Sequence, residues 1–295
     1  LNDFLQQFIS LRFTTGKSCS ALGDALQNGA AAHYMEHLSK MPYLYCTDTK
    51  AQDSSVTNQF LELFYSRVKQ TYSLTHEENN MFESVKFNTI NKLINVNGHL
   101  YLVQRGLGSG DYLTSVINVV WRLYMVLENY NHSMQDFWLN NKLVINGDDL
   151  IMSSAFADLN LNSRHAGITW EGKPIPWEEA DFCSLKFKPF IHHDPNKVLA
   201  VLNQRVPKKM LLHPEYQLQR LGGLLRVLST RDVYDIILNQ MKQLTRKYNL
   251  DVAFAQLFIP YEKIFSNYNS YWTYHCSKKK QQEILDAQKL FRFGN

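Results

Sequence analysis

Residues 147–149 read Gly-Asp-Asp, set between Leu143-Val144-Ile145 and Leu150-Ile151-Met152. An apolar run, a tight polar break and a second apolar run predict a β-hairpin with two carboxylates at its tip. Two aspartates held ~4 Å apart repel by about 4 kcal/mol at an effective dielectric of about 20. A bound cation removes that cost, so the turn is a candidate divalent-metal site. Asp48 closes another apolar stretch, Tyr43 to Cys46, and Asp53 follows it with four residues between. Hard carboxylate oxygens suit Mg²⁺ or Mn²⁺. Two such ions about 3.5–4 Å apart clamp the attacking and leaving oxygens of an in-line phosphoryl displacement. Asp48, Asp148 and Asp149 are thus the candidate metal ligands and catalytic carboxylates, and the chemistry indicated is phosphoryl transfer.

Between the two acidic strands lies Ser109-Gly110-x3-Thr114-x3-Asn118. Thr114 and Asn118 are four apart and share one helix face. Gly110 permits an unusual backbone at the helix entry, and Ser109 can turn with it. Two hydroxyls and an amide on one face can read a sugar edge, with Asp53 joining them at a 2′-hydroxyl. Such a site rejects a ligand lacking the hydroxyl by ~10⁴–10⁵. Plainer readings stand beside these. Asp53 suits a helix N-terminus, Ser109 a helix cap, Thr114 a core-facing hydroxyl, and Asn118 a partner for a buried backbone group.

The elements that must position these residues follow from periodicity. Tyr43–Cys46 reads as a strand ending at Asp48. Ser54-Ser55 is expected to cap a helix with Val56, Phe60, Leu63 and Phe64 on its apolar face. Asn97-Gly98 between two apolar runs signals a hairpin over 94–103. A helix is expected from Ser109-Gly110 through Tyr130, and shorter ones over 21–32 and 159–165. Residues 182–190 and 198–203 read as strands, and His192-His193 as a loop. From Pro214 the pattern is helical: 216–228, 233–247, 252–258, 261–270 and 277–291. Trp121, Tyr124 and Phe137 are expected in the core, and Lys278-Lys279-Lys280 on a solvated helix face.

The whole chain agrees with a large core. It has 295 residues, 45% hydrophobic and 13% aromatic, with a formal net charge of only +4. That charge does not announce nucleic-acid binding by itself. No apolar run approaches about 18 residues, so no transmembrane segment is expected. The four cysteines, Cys19, Cys46, Cys183 and Cys276, form no CxxC pair. This argues against a zinc cluster and a disulfide framework, and Cys46 and Cys183 read as buried thiols. The chain begins at Leu1, and the expectation is a fragment or a product of processing.

At these residues the sequence resembles the RNA-dependent RNA polymerases of positive-strand RNA viruses. DTKAQDSSVT at 48–57 resembles motif A in its pestivirus and hepacivirus form. GSGDYLTSVIN at 108–118 resembles motif B, and NGDDL at 146–150 motif C. HAGITWEGK at 165–173 is similar to motif D, with Lys173 where the family places a general acid for pyrophosphate. FCSLKF at 182–187 resembles motif E, the primer grip, in a sobemovirus-like form. A bare Gly-Asp-Asp arises by chance in roughly one chain in twenty of this length. The ordered set A to E is what carries the resemblance.

The resemblance implies an α+β fold: a polymerase palm, an antiparallel sheet flanked by helices, followed by a helical thumb. Residues 1–40 would be a remnant of the fingers or the fingers–palm connection, 41–205 the palm and 206–295 the thumb. It implies template-directed RNA synthesis in viral genome replication by two-metal nucleotidyl transfer, with two Mg²⁺ or Mn²⁺ ions. Asp53, Ser109, Gly110, Thr114 and Asn118 would bind the nucleotide ribose. Partners would be template and nascent RNA, nucleoside triphosphates, an upstream fingers region and other viral replication proteins. The place would be a replication complex in the host cytoplasm, at membranes through partners. Only 47 residues precede Asp48, and Arg12 and Lys17 are assigned no triphosphate-holding role. Two alternatives remain: a catalytically incomplete RNA-binding or assembly fragment, and a reverse transcriptase-like palm. The latter is disfavoured because such sites place a bulky ring where Asp53 stands.

Overall fold

A computed structural model describes residues 2–11, 18–26, 29–47, 52–108, 113–128, 130, 133–159, 173–204, 206 and 212–275. In chain order the first elements are α1 (Asn2–Ser10), α2 (Ala30–Leu38), β1 (Tyr43–Thr47), α3 (Gln52–Ser55), α4 (Asn58–Gln70) and α5 (His76–Ile90). There follow β2 (Lys92–Val96), β3 (His99–Val103), α6 (Thr114–Glu128), α7 (Met134–Asn140), β4 (Asn141–Asn146) and β5 (Asp149–Ser154). The last are β6 (Asp181–Phe182), β7 (Leu185–Lys186), β8 (His192–His193), α8 (Pro195–Leu202), α9 (Pro214–Leu225), α10 (Arg231–Tyr248), α11 (Asp251–Leu257) and α12 (Tyr261–His275). Packing divides the chain into two units, Leu1–Asp24 with Met41–Pro174, and Ala25–Lys40 with Ile175–Asn295.

The first unit is built on an antiparallel sheet of order β1-β5-β4, with Cys46 opposite Ile151 and Val144 opposite Ile151. Leu143, Val144, Ile145, Leu150, Ile151 and Met152 are each at most 2% exposed. An unbroken apolar run buried on both faces is the expected signature of a covered strand pair. Helix α6 packs against β4 and brings Val116, Ile117, Val119, Trp121, Met125 and Val126 into the same core. The free edge of β4 is closed by residues 19–21: Ile145 N–H donates to Cys19 O at 2.8 Å, and Ala21 N–H donates to Ile145 O at 2.7 Å. A bridge at Ile145 takes part of the edge out of reach of a foreign strand. Cys19 is pushed up to about 11 by burial, so its thiol stays protonated.

Several expectations need correction. Ser54 and Ser55 do not cap α4. They end the short α3, and Thr57 caps α4 through its hydroxyl, which accepts from Phe60 N–H at 3.2 Å. Leu63 is 52% exposed, and the buried face of α4 is Phe60, Leu61, Phe64, Tyr65 and Val68. Residues 21–25 are not helical, and the helix α2 begins only at Ala30. Trp121 and Phe137 are buried as expected, whereas Tyr124 is exposed and stacks on Trp121 at 5.4 Å. Cys46 and Cys183 are half-buried rather than buried, and neither is in a disulfide. The hairpin over 94–103 is present as β2–β3, with Asn97 and Gly98 at positive φ. Leu93, Ile94, Val96, Leu100, Tyr101 and Leu102 on it are all exposed.

In the second unit, 198–203 lies in a helix, α8, not a strand. Asp194 caps it, accepting from Asn196 N–H, and Pro195 starts it. His192 and His193 form a short strand, not a loop. Residues 182–190 are not one strand. Cys183 and Ser184 take φ of 53° and 63° and turn β6 back on β7, the two-residue geometry that favours positive φ at both centres. β7 also pairs with β8. Helices α9, α10 and α11 pack together, and α2 packs against α12. Asn269 of α12 clasps the backbone of Ile191, accepting from its N–H at 3.1 Å. The expected helices over 159–165 and 277–291 and the lysines at 278–280 lie outside the described residues, apart from Leu159. Among the described residues, no helix is long and apolar enough to cross a membrane.

His193 meets the edge of Tyr268 at 5.9 Å. Burial first, and then the neighbouring His192, push its pKa down from 6.5 to about 4, against the pull of Asp181. The unfolded chain therefore takes up a proton that the folded unit refuses. The contribution of His193 to stability is full above pH about 6.5 and is lost as pH falls toward about 4. A thermal-melting series across that window should fall with pH, and His193→Gln should flatten it. An equal slope in both proteins would assign the loss elsewhere.

Candidate active site

The β4–β5 hairpin closes at Asn146 opposite Asp149, leaving Gly147 and Asp148 as the turn. Gly147 takes φ of +65°, the conformation that glycine supplies at the first centre of a two-residue hairpin. Asp148 is exposed at the tip, and Asp149 is half-buried at the start of β5. β1 runs alongside as far as Thr47, which lies opposite Leu150, the neighbour of Asp149. Asp48 is next in the chain and lies outside the described residues, as do Ser109 and Gly110.

Residues from distant segments meet at α3. Asn118 Nδ2 donates to Asp53 Oδ1 at 2.7 Å, across 65 residues of chain. Gln52 is 2% exposed. Its Nε2 lies in reach of two carbonyls, Asn118 O at 3.2 Å and Gly147 O at 3.3 Å. One side chain thus touches the helix that bears Asn118 and the turn that bears Asp148. Asn118 Oδ1 and Gln52 Oε1 are buried and find no hydrogen-bond partner among the described residues.

Helix α6 holds this arrangement with one face. Asn118, Trp121 and Arg122 stand at i, i+3 and i+4, so they point the same way. Trp121 Nε1 donates to Ser55 Oγ at 2.9 Å, and Ser55 Oγ donates to Gln52 O at 2.7 Å. Arg122 is fully buried and donates to the carbonyl of Thr47 at 3.0 Å and to its hydroxyl. A buried guanidinium is tolerated only where such acceptors meet it. On the other side, Leu107 N–H donates to Asp53 O at 2.7 Å. Thr114 Oγ1 donates to Gly108 O at 2.9 Å, so this hydroxyl holds the loop before the helix.

Of the residues singled out by sequence, Asp53 and Asn118 are in direct contact, and Asp148 and Asp149 share the hairpin tip. Thr114 is one turn before Asn118 on α6, and Lys173 is exposed. Among the described residues no group of three or more metal-binding side chains comes together; with Asp48 outside them, the carboxylate pair at 148–149 is what can be described. Its hard oxygen donors fit Mg²⁺ or Mn²⁺ rather than a softer metal. Sequence reasoning missed Gln52, Gly106, Trp121 as a donor, and Arg122. Arg122 had a signal, being a charge inside an otherwise apolar helical run. Gln52 had none.

Comparison with known proteins now bears on this geometry. None of the curated proteins matches the chain. Among solved structures, the Sicinivirus 3Dpol RNA dependent RNA polymerase superposes with a TM-score of 0.61 at 12% identity. The match covers 86% of this chain and 56% of that one, so the chain spans little more than half the length of that structure. At that identity the likeness is one of fold. A family model described as viral RNA-dependent RNA polymerase matches residues 17–243, well over half of the chain. The chain therefore belongs to the viral RNA-dependent RNA polymerase family.

Proposed function

We propose that this chain is the palm and thumb of a template-directed RNA polymerase that extends RNA from nucleoside triphosphates during viral genome replication. The observation that carries the reading is the 2.7 Å contact between Asp53 and Asn118, tied by Gln52 to the Gly147 turn. Read as a pair that recognises a sugar hydroxyl beside a turn of carboxylates, it supports ribonucleotide transfer. In this reading the palm covers 41–205, the thumb 206–295, and residues 1–40 connect to fingers.

Asp48, Asp148 and Asp149 would hold two Mg²⁺ or Mn²⁺ ions, which when bound neutralise charge on the attacking and leaving oxygens. The chain's own residues do the positioning. Asp53 accepts a hydrogen bond from the ribose 2′-hydroxyl while Asn118 fixes the carboxylate and offers its amide to the same sugar edge. Ser109, Gly110 and Thr114 would bind the same ribose. Lys173 would protonate the departing pyrophosphate. RNA, triphosphates, a fingers region and other replication proteins are the partners, in a complex in the host cytoplasm.

A second reading has its own support. The chain spans 56% of the polymerase it superposes on, which favours an RNA-binding or assembly fragment that needs further sequence for synthesis. Incorporation of nucleotides by this chain on a homopolymer template, with and without added upstream sequence, separates the two.

Two outcomes test the polymerase reading. Asp148→Asn should lower RNA synthesis by at least about 100-fold with Mg²⁺ and with Mn²⁺, since metal charge contributes several kcal/mol at ~1.4 kcal/mol per decade. Undiminished incorporation would remove Asp148 from the chemistry. Asn118→Ala should weaken preference for ribo- over deoxynucleotides about 10- to 100-fold, the worth of one hydrogen bond to a charged group. An unchanged ratio, with the protein folded, would end the ribose assignment.

A further inference from the structure

Asp53 rides on α3, a helix of four residues, too short to hold its own geometry. What fixes it comes from elsewhere. Leu107 N–H donates to Asp53 O at 2.7 Å, and Gly106 N–H donates to Val56 O at 3.0 Å. Gly106 sits at φ +73°, and a Cβ there would lie 2.8 Å from Asp53 O and 3.0 Å from Ser54 Cα. Both are backbone atoms that cannot swing aside, so the closeness of this approach demands glycine.

The outer side of the same peptide is held by Lys92. Its Nζ donates to Gly106 O at 2.7 Å and to Thr89 O at 2.8 Å. An ammonium has three protons and no acceptor, and bonds from a charged donor are the stronger kind. Thr89 O belongs to the last turn of α5, where a positive charge is favoured by the helix dipole. Thr89 is itself fixed: its hydroxyl lies 3.0 Å from the Tyr65 hydroxyl of α4 and 3.0 Å from Val85 O. A continuous chain of contacts thus runs from the α4–α5 pair through Lys92 and Gly106 to the backbone of Asp53.

We propose that Lys92 and Gly106 are positioning residues for sugar selection: the Lys92 ammonium pins the Gly106 loop, and the loop sets where the Asp53 carboxylate stands. The inference rests on the ribose reading of Asp53 and Asn118. A displacement of about 1 Å at a site of this kind costs up to ~10²-fold, so loosening the pin is expected to act on selectivity before rate.

The test compares Lys92→Met, Lys92→Arg and Gly106→Ala with Asp53→Ala as reference. Two readouts are taken: the ribo-to-deoxynucleotide ratio of kcat/KM in the polymerase, and amide exchange at Leu107 in the same protein. Lys92→Met should speed Leu107 exchange and lower the ratio about tenfold, mainly through KM for the ribonucleotide, while exchange in β4 and β5 stays unchanged. Lys92→Arg should restore most of both, and Gly106→Ala should lose more than Lys92→Met. If Asp53→Ala lowers the ratio but Lys92→Met leaves it at the starting value, the positioning role is overturned, whatever Leu107 does. If Asp53→Ala leaves the ratio unchanged, the ribose reading fails instead. Leu107 exchange then decides whether the pin exists at all: faster exchange in Lys92→Met upholds it, and unaltered exchange overturns it.

Discussion

A single buried amide joins the parts of the site. Gln52 Nε2 sits between Asn118 O and Gly147 O, residues 66 and 95 positions away along the chain. Each of those segments is anchored separately, α6 by its apolar face and the turn by the buried strands on either side. The amide gives them a common reference. Its bonds are long, and in water they would be worth little. In a site this buried they are electrostatically stronger, and losing either leaves a carbonyl that must find another donor or bear the cost of going without, about 1–3 kcal/mol.

Helix α6 is the element through which that reference is enforced. Its apolar positions go to the core, while Asn118, Trp121 and Arg122 turn polar atoms toward α3 and β1. Trp121 serves both purposes: its ring packs on Phe60 with centroids 4.6 Å apart, and its N–H reaches Ser55. Replacing these polar groups by apolar ones of like shape would keep the helix on the sheet and lose the register between carboxylate and amide. Buried polar networks of this kind fix which packing is adopted more than how stable it is.

What was legible in the sequence was local. Asn97-Gly98 and Gly147-Asp148 announce their hairpins because turn chemistry is carried by two adjacent residues. The Asp48, Asp53 and Asn118 spacings were legible as a pattern; the direct contact between the latter two was not. Where the reading failed, the cause was also local. Val198-Leu199-Ala200-Val201-Leu202 is a short apolar run, which periodicity cannot assign; the deciding signal was Asp194-Pro195, a cap and a helix-starting proline. Ser54-Ser55 looked like a cap, yet Thr57 is the residue placed to accept from Phe60 N–H. Gln52, Gly106 and Lys92 were illegible for a different reason. The partners of Gln52 and Gly106 lie far along the chain, and those of Lys92 are backbone carbonyls that no side-chain pattern marks.

The two halves of the site differ in how their precision is made. Asp148 stands on a turn of two residues, closed by strands whose side chains are almost wholly buried. Its position follows from the core, with the Gln52 amide on Gly147 O as a further tie. Asp53 stands on a helix of four residues. Its position is assembled from outside, by Asn118 on one side and the Gly106–Leu107 loop on the other. The carboxylate at the turn is thus placed by the sheet, and the carboxylate on α3 by contacts from two other segments, α6 and the 106–107 loop. On the proposed reading, a change in the Gly106–Leu107 loop would shift Asp53 and leave the strands that carry the turn in place, whereas a change at Gln52, which touches both halves, would reach both.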